Sequence, residues 1–129
     1  MRFLPTKIHG VIDYLTGLLL IAAPWLLGFA DNGPATWVPV ILGASALLYS
    51  LLTDYELGVF RAISMPMHLR LDALSGAFLA ASPWLFGFDE YVYLPHLIIG
   101  AFEVVASLIT RTSPSNYADP LRSSSPRHT

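Results

Sequence analysis

The chain has 129 residues, of which 54% are hydrophobic and only 12% are charged. A soluble domain carries about 25% charged residues, and a chain of this size cannot bury so much apolar surface in one core. The composition therefore excludes an ordinary soluble domain. The net charge of −2 gives no indication of nucleic-acid binding, and a chain without cysteine has neither disulfides nor thiolate sites.

Four apolar stretches approach or reach the length of about 20 residues that a membrane-spanning helix needs. They predict transmembrane helices at residues 8–29, 37–53, 69–88 and 91–110. Helices are expected because an open strand edge finds no hydrogen-bond partner in lipid. The first stretch is not predicted to be a cleaved signal peptide, because its pattern returns as the third stretch.

The basic residues predict how these helices cross the membrane. All 7 Lys and Arg residues precede the first stretch, lie around the junction of the second and third, or follow the fourth. By the positive-inside rule, both termini are expected in the cytoplasm. Aromatic residues cluster at the opposite ends of the helices, as an outer interfacial belt would: Trp25, Trp37, Trp84, Tyr91 and Tyr93.

An internal repeat divides the chain into two halves. Residues 9–29 match residues 68–88 at an offset of 59, with 11 of 21 positions identical. The second and fourth stretches match less closely, at an offset of 57. Each half is therefore predicted to be a helical hairpin, and the halves are expected to be related by an axis along the membrane normal.

This repeat sets the domain boundaries. The first hairpin is predicted at residues 1–54 and the second at residues 67–111. Residues 55–66 have an apolar side and are expected to form an amphipathic linker, as a short helix on the cytoplasmic membrane surface. Residues 112–129, rich in Ser, Pro and Arg, are expected to be a disordered cytoplasmic tail. The predicted fold is an all-α membrane four-helix bundle.

A stripe of shared residues follows one face of the first helix of each hairpin. In the first repeat its members are His9, Asp13, Gly17, Leu20, Pro24 and Gly28. Spacings of three and four residues keep to one helix face, and glycines allow helix backbones to approach closely. We expect this stripe and its equivalent from His68 to Gly87 to form the contact between the two halves.

Two tripeptides late in the first helix of each hairpin resemble a known family. Ala23-Pro24-Trp25 and Ser82-Pro83-Trp84 look like the motif of the SPW-repeat family of small bacterial membrane proteins. The second copy is intact, and the first has Ala23 in place of serine. The resemblance covers nearly the whole membrane portion and implies a multi-pass protein of the bacterial inner membrane. The family has no assigned activity, so it supplies no catalytic residues.

The Pro-Trp pairs are expected to have a structural role. A proline inside a helix removes a backbone hydrogen bond, so Pro24 and Pro83 should kink or end their helices near the outer surface. Trp25 and Trp84 would then anchor the helices at headgroup depth. A broken helix that lines a transport site is less favoured, because that arrangement occurs near the midplane.

Ionisable residues inside the predicted spans are the candidate site: His9, Asp13, His68, Asp72, His96 and Glu103. The favoured interpretation is structural, with each Asp accepting a hydrogen bond from a His and the pairs joining the halves. The second is proton or small-ion passage along groups at three depths. The third is a divalent metal held by two His and two Asp, which is disfavoured, so no metal site is assigned.

An enzymatic role has the least support. The sequence contains no glycine-rich phosphate loop, no nucleophile elbow and no zinc-protease motif. We therefore expect no enzyme activity and no cofactor. The expected partner is the lipid bilayer, with a membrane-protein partner or a homo-oligomer left open. The favoured function is structural or accessory.

Overall fold

The structure is a computed structural model that describes residues 2–114. Within these residues the chain forms four helices: α1 (Thr6–Leu26), α2 (Pro34–Leu51), α3 (Met65–Leu85) and α4 (Leu94–Ile109). The predicted all-α class is confirmed. The predicted tail lies outside the described residues from residue 115 onward, together with Arg122 and Arg127, on which the orientation partly rests.

The helices pack as two hairpins with related geometry. Helix α1 packs along α2, α3 packs along α4, and α2 also contacts α3. Isolated backbone bridges join Leu4 to Thr110 and Ile63 to Thr53. These bridges link the segment before each hairpin to the end of the other hairpin, and their positions are equivalent in the repeat. We call the end of the bundle that contains the two bridges the bridge end. The opposite end is called the cap end.

Glycines bring the two helices of each hairpin together. A Cβ atom on Gly43 would lie 2.6 Å from the carbonyl oxygen of Gly17, and one on Gly76 would lie 2.7 Å from that of Gly100. The stripe prediction is therefore wrong for Gly17 and Gly76, which contact their own hairpin. Larger side chains, those of Leu20, Val38 and Leu79, fill the space between the halves.

Helices α1 and α3 end before the predicted spans do, and the same motif ends both. Gly28 has a φ of 74°, in the left-handed region, and the amide of Phe29 donates to the carbonyl of Pro24 at 2.9 Å. This is the Schellman arrangement, which favours glycine. Gly87 repeats it with the same φ. A Cβ at either glycine would meet no atom within 4 Å, so these two glycines serve as caps and not as helix contacts.

The exterior of the bundle is apolar. Among the described residues, two helices, Thr6–Leu26 and Pro34–Leu51, are long and apolar enough to cross a membrane. Large apolar side chains point outward on all four helices, including Leu18 at 57%, Leu48 at 60%, Leu74 at 70% and Ile98 at 60% exposure. The core between the halves is small and centres on Leu20, Val38 and Leu79.

The linker between the hairpins differs from the short helix that the sequence predicts. Residues 52–64 form turns and bends. The amides of Val59 and Phe60 donate to the carbonyl of Leu51, and those of Ala62 and Ile63 donate to that of Leu52. The last carbonyls of a helix have no partner within the helix, and here amides of the linker donate to them.

Candidate functional site

Four of the predicted polar residues meet in one buried cluster, which we call the His–Asp tetrad: His9, Asp13, His68 and Asp72. None is more than 7% exposed. His9 Nε2 lies 2.6 Å from Asp72 Oδ2, and His68 Nε2 lies 2.5 Å from Asp13 Oδ2. The distances within each helix are longer, at 3.0 and 3.2 Å. Each histidine thus contacts the aspartate of the other half most closely, and the crossed pairs join the hairpins.

Two threonines fix which nitrogen of each histidine carries a hydrogen. Thr110 Oγ1 donates to a backbone carbonyl of its own helix at 2.5 Å and lies 2.7 Å from His9 Nδ1. Since a hydroxyl has one hydrogen, Thr110 must accept from Nδ1–H. Thr53 makes the same contacts, at 2.5 Å to a carbonyl and 2.7 Å to His68 Nδ1. The Nδ1 atom of each histidine therefore carries a hydrogen. The other ring nitrogen, Nε2, faces the carboxylates.

Each short contact requires a hydrogen or a cation between the Nε2 atom and the carboxylate oxygen. An Nε2 lone pair would be repelled by a carboxylate oxygen at 2.5 to 2.6 Å, so each short contact contains a hydrogen or shares a cation. The hydroxyl of Tyr49 also donates to Asp72 Oδ1. With a hydrogen in each short contact, two imidazolium groups balance two carboxylates, which suits a site removed from water.

The linker covers the tetrad at the bridge end. Tyr55 is fully buried, with its ring centre 5.7 Å from that of His68. The linker is held in place by Thr6, which donates to the Glu56 carboxylate at 2.7 to 2.8 Å, and by Tyr14, which donates to a linker carbonyl at 2.9 Å. Burial raises the pKa of the Tyr55 phenol, so that it stays neutral.

Sequence reasoning missed four residues of this site: Tyr49, Thr53, Tyr55 and Thr110. Thr53 and Thr110 are equivalent in the repeat, as are the histidines that they contact. The match between the two threonines is visible in the sequence. Their contact with the histidines is not, because it depends on how the helices pack. Tyr49 aligns with Ala106, so no repeat pattern pointed to it.

His96 lies apart from the tetrad, at the cap end. It is 1% exposed, and its Nε2 donates to the carbonyl of Ala35 at 2.9 Å. The rings of Phe29 and Phe88 flank it, with centres 5.2 and 4.9 Å away. No described residue forms a hydrogen bond with its Nδ1. His96 therefore links the second hairpin to the first through a single hydrogen bond.

Glu103 and His96 do not form a polar chain with the tetrad. No hydrogen bond or ion pair joins Glu103 to another described residue, although the charges of Asp72 and Asp13 act on its carboxyl group. The buried side chains of Leu20 and Leu79 lie between the tetrad and His96. The space among these two leucines and His96 has no room for a water molecule. An apolar layer thus separates His96, the outermost of the predicted titratable groups, from the tetrad.

The Pro-Trp pairs lie in the last turn of α1 and α3. Both prolines are buried, whereas Trp25 is 63% and Trp84 is 52% exposed. Ser82 Oγ donates at 2.7 Å to the carbonyl of Leu79, which is the carbonyl that Pro83 leaves without an amide donor. Ser82 thus compensates for the proline that follows it, and Ala23, at the equivalent position, has no hydroxyl to do so.

The geometry of two hairpins, each with a Pro-Trp pair near its cap end, agrees with a comparison against known families. The model of the SPW repeat domain matches residues 7–110, which includes both hairpins and the tetrad. No curated protein and no solved structure matches the chain. Because the match spans most of the sequence, the chain belongs to the SPW repeat family.

Proposed function

We propose that this protein is a non-enzymatic, multi-pass protein of the bacterial inner membrane, with four transmembrane helices and both termini in the cytoplasm. Its role is structural or accessory, and the tetrad holds the two hairpins in register. The observation that carries the proposal is the apolar exterior around a buried polar cluster. Such an exterior marks contact with lipid or a partner, and polar side chains inside a membrane face the bundle interior.

The lengths of the helices support four spans. At 1.5 Å per residue, the 21 residues of α3 extend about 32 Å and the 16 residues of α4 about 24 Å. The hydrocarbon core is about 30 Å thick, and a short helix is accommodated by local thinning of the bilayer. Arg70 lies in the second turn of α3, from which its side chain can extend to the interface.

The tetrad itself supports a non-enzymatic role. Each Thr–His–Asp chain contains the residue types of a hydrolase triad. The hydroxyls of Thr53 and Thr110 are fully buried, however, and each donates its hydrogen to a backbone carbonyl. Neither hydroxyl is placed to attack a substrate, so the contacts favour a role in holding the helices together.

Cysteine labelling tests the membrane topology, and the absence of native cysteines makes the test direct. In intact cells, Asn32→Cys and Glu90→Cys in the cap-end loops are expected to react with a membrane-impermeant maleimide. Ser113→Cys at the bridge end should react only after permeabilisation. All three positions are exposed, so access alone does not distinguish them. Labelling of Ser113→Cys in intact cells would contradict the proposed orientation.

Proton or small-ion passage is the alternative function, and one observation favours it. Glu103 places a carboxyl group in the middle of α4 with no hydrogen-bond partner among the described residues. Intramembrane carboxylates of this kind serve proton relays. The apolar layer of Leu20 and Leu79 opposes it, because protons need a continuous polar or hydrated path.

Proton flux into liposomes separates the two functions. Because of the apolar layer, vesicles that contain the protein are expected to take up protons no faster than protein-free vesicles under the same gradient. Glu103→Gln should then leave the rate unchanged. A flux well above that of empty vesicles, abolished by Glu103→Gln, would establish passage in place of the structural role.

A further inference from the structure

We propose that the His–Asp tetrad is a binding site for one divalent cation of the zinc type. The inference uses the same four side chains as the structural role proposed above and adds a ligand to them. It does not depend on the direction in which the helices cross the membrane, so the two proposals are tested separately.

The donor atoms are of the right type and nearly at the right distances. Two imidazole nitrogens and two carboxylate oxygens lie within 4.8 Å of one another. Neighbouring N and O atoms around this ring are 2.6, 3.2, 2.5 and 3.0 Å apart. Zinc bonds of about 2.0 to 2.1 Å at tetrahedral angles place ligand atoms about 3.4 Å apart. Each of these four contacts therefore has to lengthen by less than about 1 Å for the ion to bind.

The contact between the Nδ1 atom of each histidine and a threonine hydroxyl is typical of a histidine that binds a metal. In metal sites the nitrogen that does not bind the ion donates its hydrogen to an oxygen, which sets the tautomer and the ring orientation. Thr110 and Thr53 accept from the Nδ1 atoms of His9 and His68, respectively. Both Nε2 atoms therefore lie against the two carboxylates, one from each half of the chain, and are available to bind an ion once their hydrogens leave.

Charge also fits a divalent ion. The short contacts require two hydrogens between the imidazoles and the carboxylates when no metal is present. One divalent cation in their place leaves the charge of the tetrad unchanged, because two neutral histidines and two carboxylates then balance the ion. Tyr49 bonds to the Oδ1 atom of Asp72, which leaves Oδ2 directed at the ring. A neutral complex is the form that a buried site accepts at least cost.

Cobalt binding by the full-length protein in detergent tests this inference. Cells are grown with Co²⁺, so that a buried site is loaded during folding. We expect one Co²⁺ per chain and visible absorption of the intensity that four-coordinate Co²⁺ gives. His96→Gln, which changes a buried histidine outside the tetrad, should retain both. The variant Asp13→Asn/Asp72→Asn should lose both, because a neutral amide is a poor ligand.

The double asparagine variant is expected to stay folded, since each Asn amide can donate to the Nε2 lone pair that the threonine leaves available. Helix content by circular dichroism checks this. Thr53→Val and Thr110→Val keep all four ligands and should lower the cobalt affinity about 10- to 100-fold. The proposal would be overturned if the wild-type protein is purified without Co²⁺, or if its Co²⁺ has the spectrum of a six-coordinate ion. Unchanged Co²⁺ binding by the double asparagine variant would also overturn it. Neither result bears on the cysteine labelling that tests membrane topology.

Discussion

His9→Leu is expected to lower the free energy of unfolding in detergent by about 3 to 5 kcal/mol, the cost of removing one partner of a buried ion pair. Leucine fills the space of the ring but leaves two carboxylates, Asp13 and Asp72, with one imidazole between them. Both carboxylates are less than 10% exposed, so water cannot replace the lost partner. Equilibrium unfolding followed by circular dichroism measures the effect.

The crossed pairing gives this prediction a second, more specific outcome. Adding Asp72→Leu to His9→Leu removes the unbalanced charge and leaves the close contact between His68 and Asp13 at 2.5 Å. The double variant should therefore be more stable than His9→Leu alone, with a coupling energy of about 1 to 3 kcal/mol in the double-mutant cycle. Ile8→Leu, at a half-exposed neighbouring position, is the control and should behave like wild type. Additive losses would show that the pair does not join the halves.

The repeat allowed much of the fold to be predicted, because it constrains two copies at once. A pattern that places His9 with Asp13, and His68 with Asp72, on equivalent helices implies that the four approach each other if the halves pack face to face. The hairpins, the four helices and the family motif follow from the same pattern. The pairing of each histidine with the opposite aspartate does not follow, because helix spacing gives only neighbours within a helix.

Other features depend on the packing of the whole chain and have no local pattern. Gly17 and Gly28 occupy one helical stripe, yet one is a helix contact and the other a cap with positive φ. The apolar side of the linker suggested a helix, but bonds to the end of α2 compete successfully for its amides. Tyr55 belongs to that linker and covers the tetrad only because the linker takes this path.

Gly43→Val is the second change with a large expected effect, at about 3 kcal/mol or more of lost stability, the upper part of the range for overpacked sites. The first added carbon alone would lie 2.6 Å from the carbonyl oxygen of Gly17 and 2.9 Å from Leu20 Cβ. The nearest atom is backbone of a neighbouring helix, which cannot rotate away as a flexible side chain would. Helices α1 and α2 must therefore move apart, which also weakens the contact of Leu20 with Leu79.

The adjacent position provides the matched control. Ala44→Val adds the same β-branched side chain to α2 on an exposed face and should cost less than about 1 kcal/mol, the usual difference in helix propensity. Gly100→Val, the repeat equivalent, should be as damaging as Gly43→Val, because an added carbon there would meet the backbone of α3 at Ala80 N, 2.5 Å away. Equal stability of the Gly43 and Ala44 variants would mean that the helices of the first hairpin are not held at glycine distance. The close approach of α1 and α2 at Gly43 would then not explain how the tetrad residues are held in position.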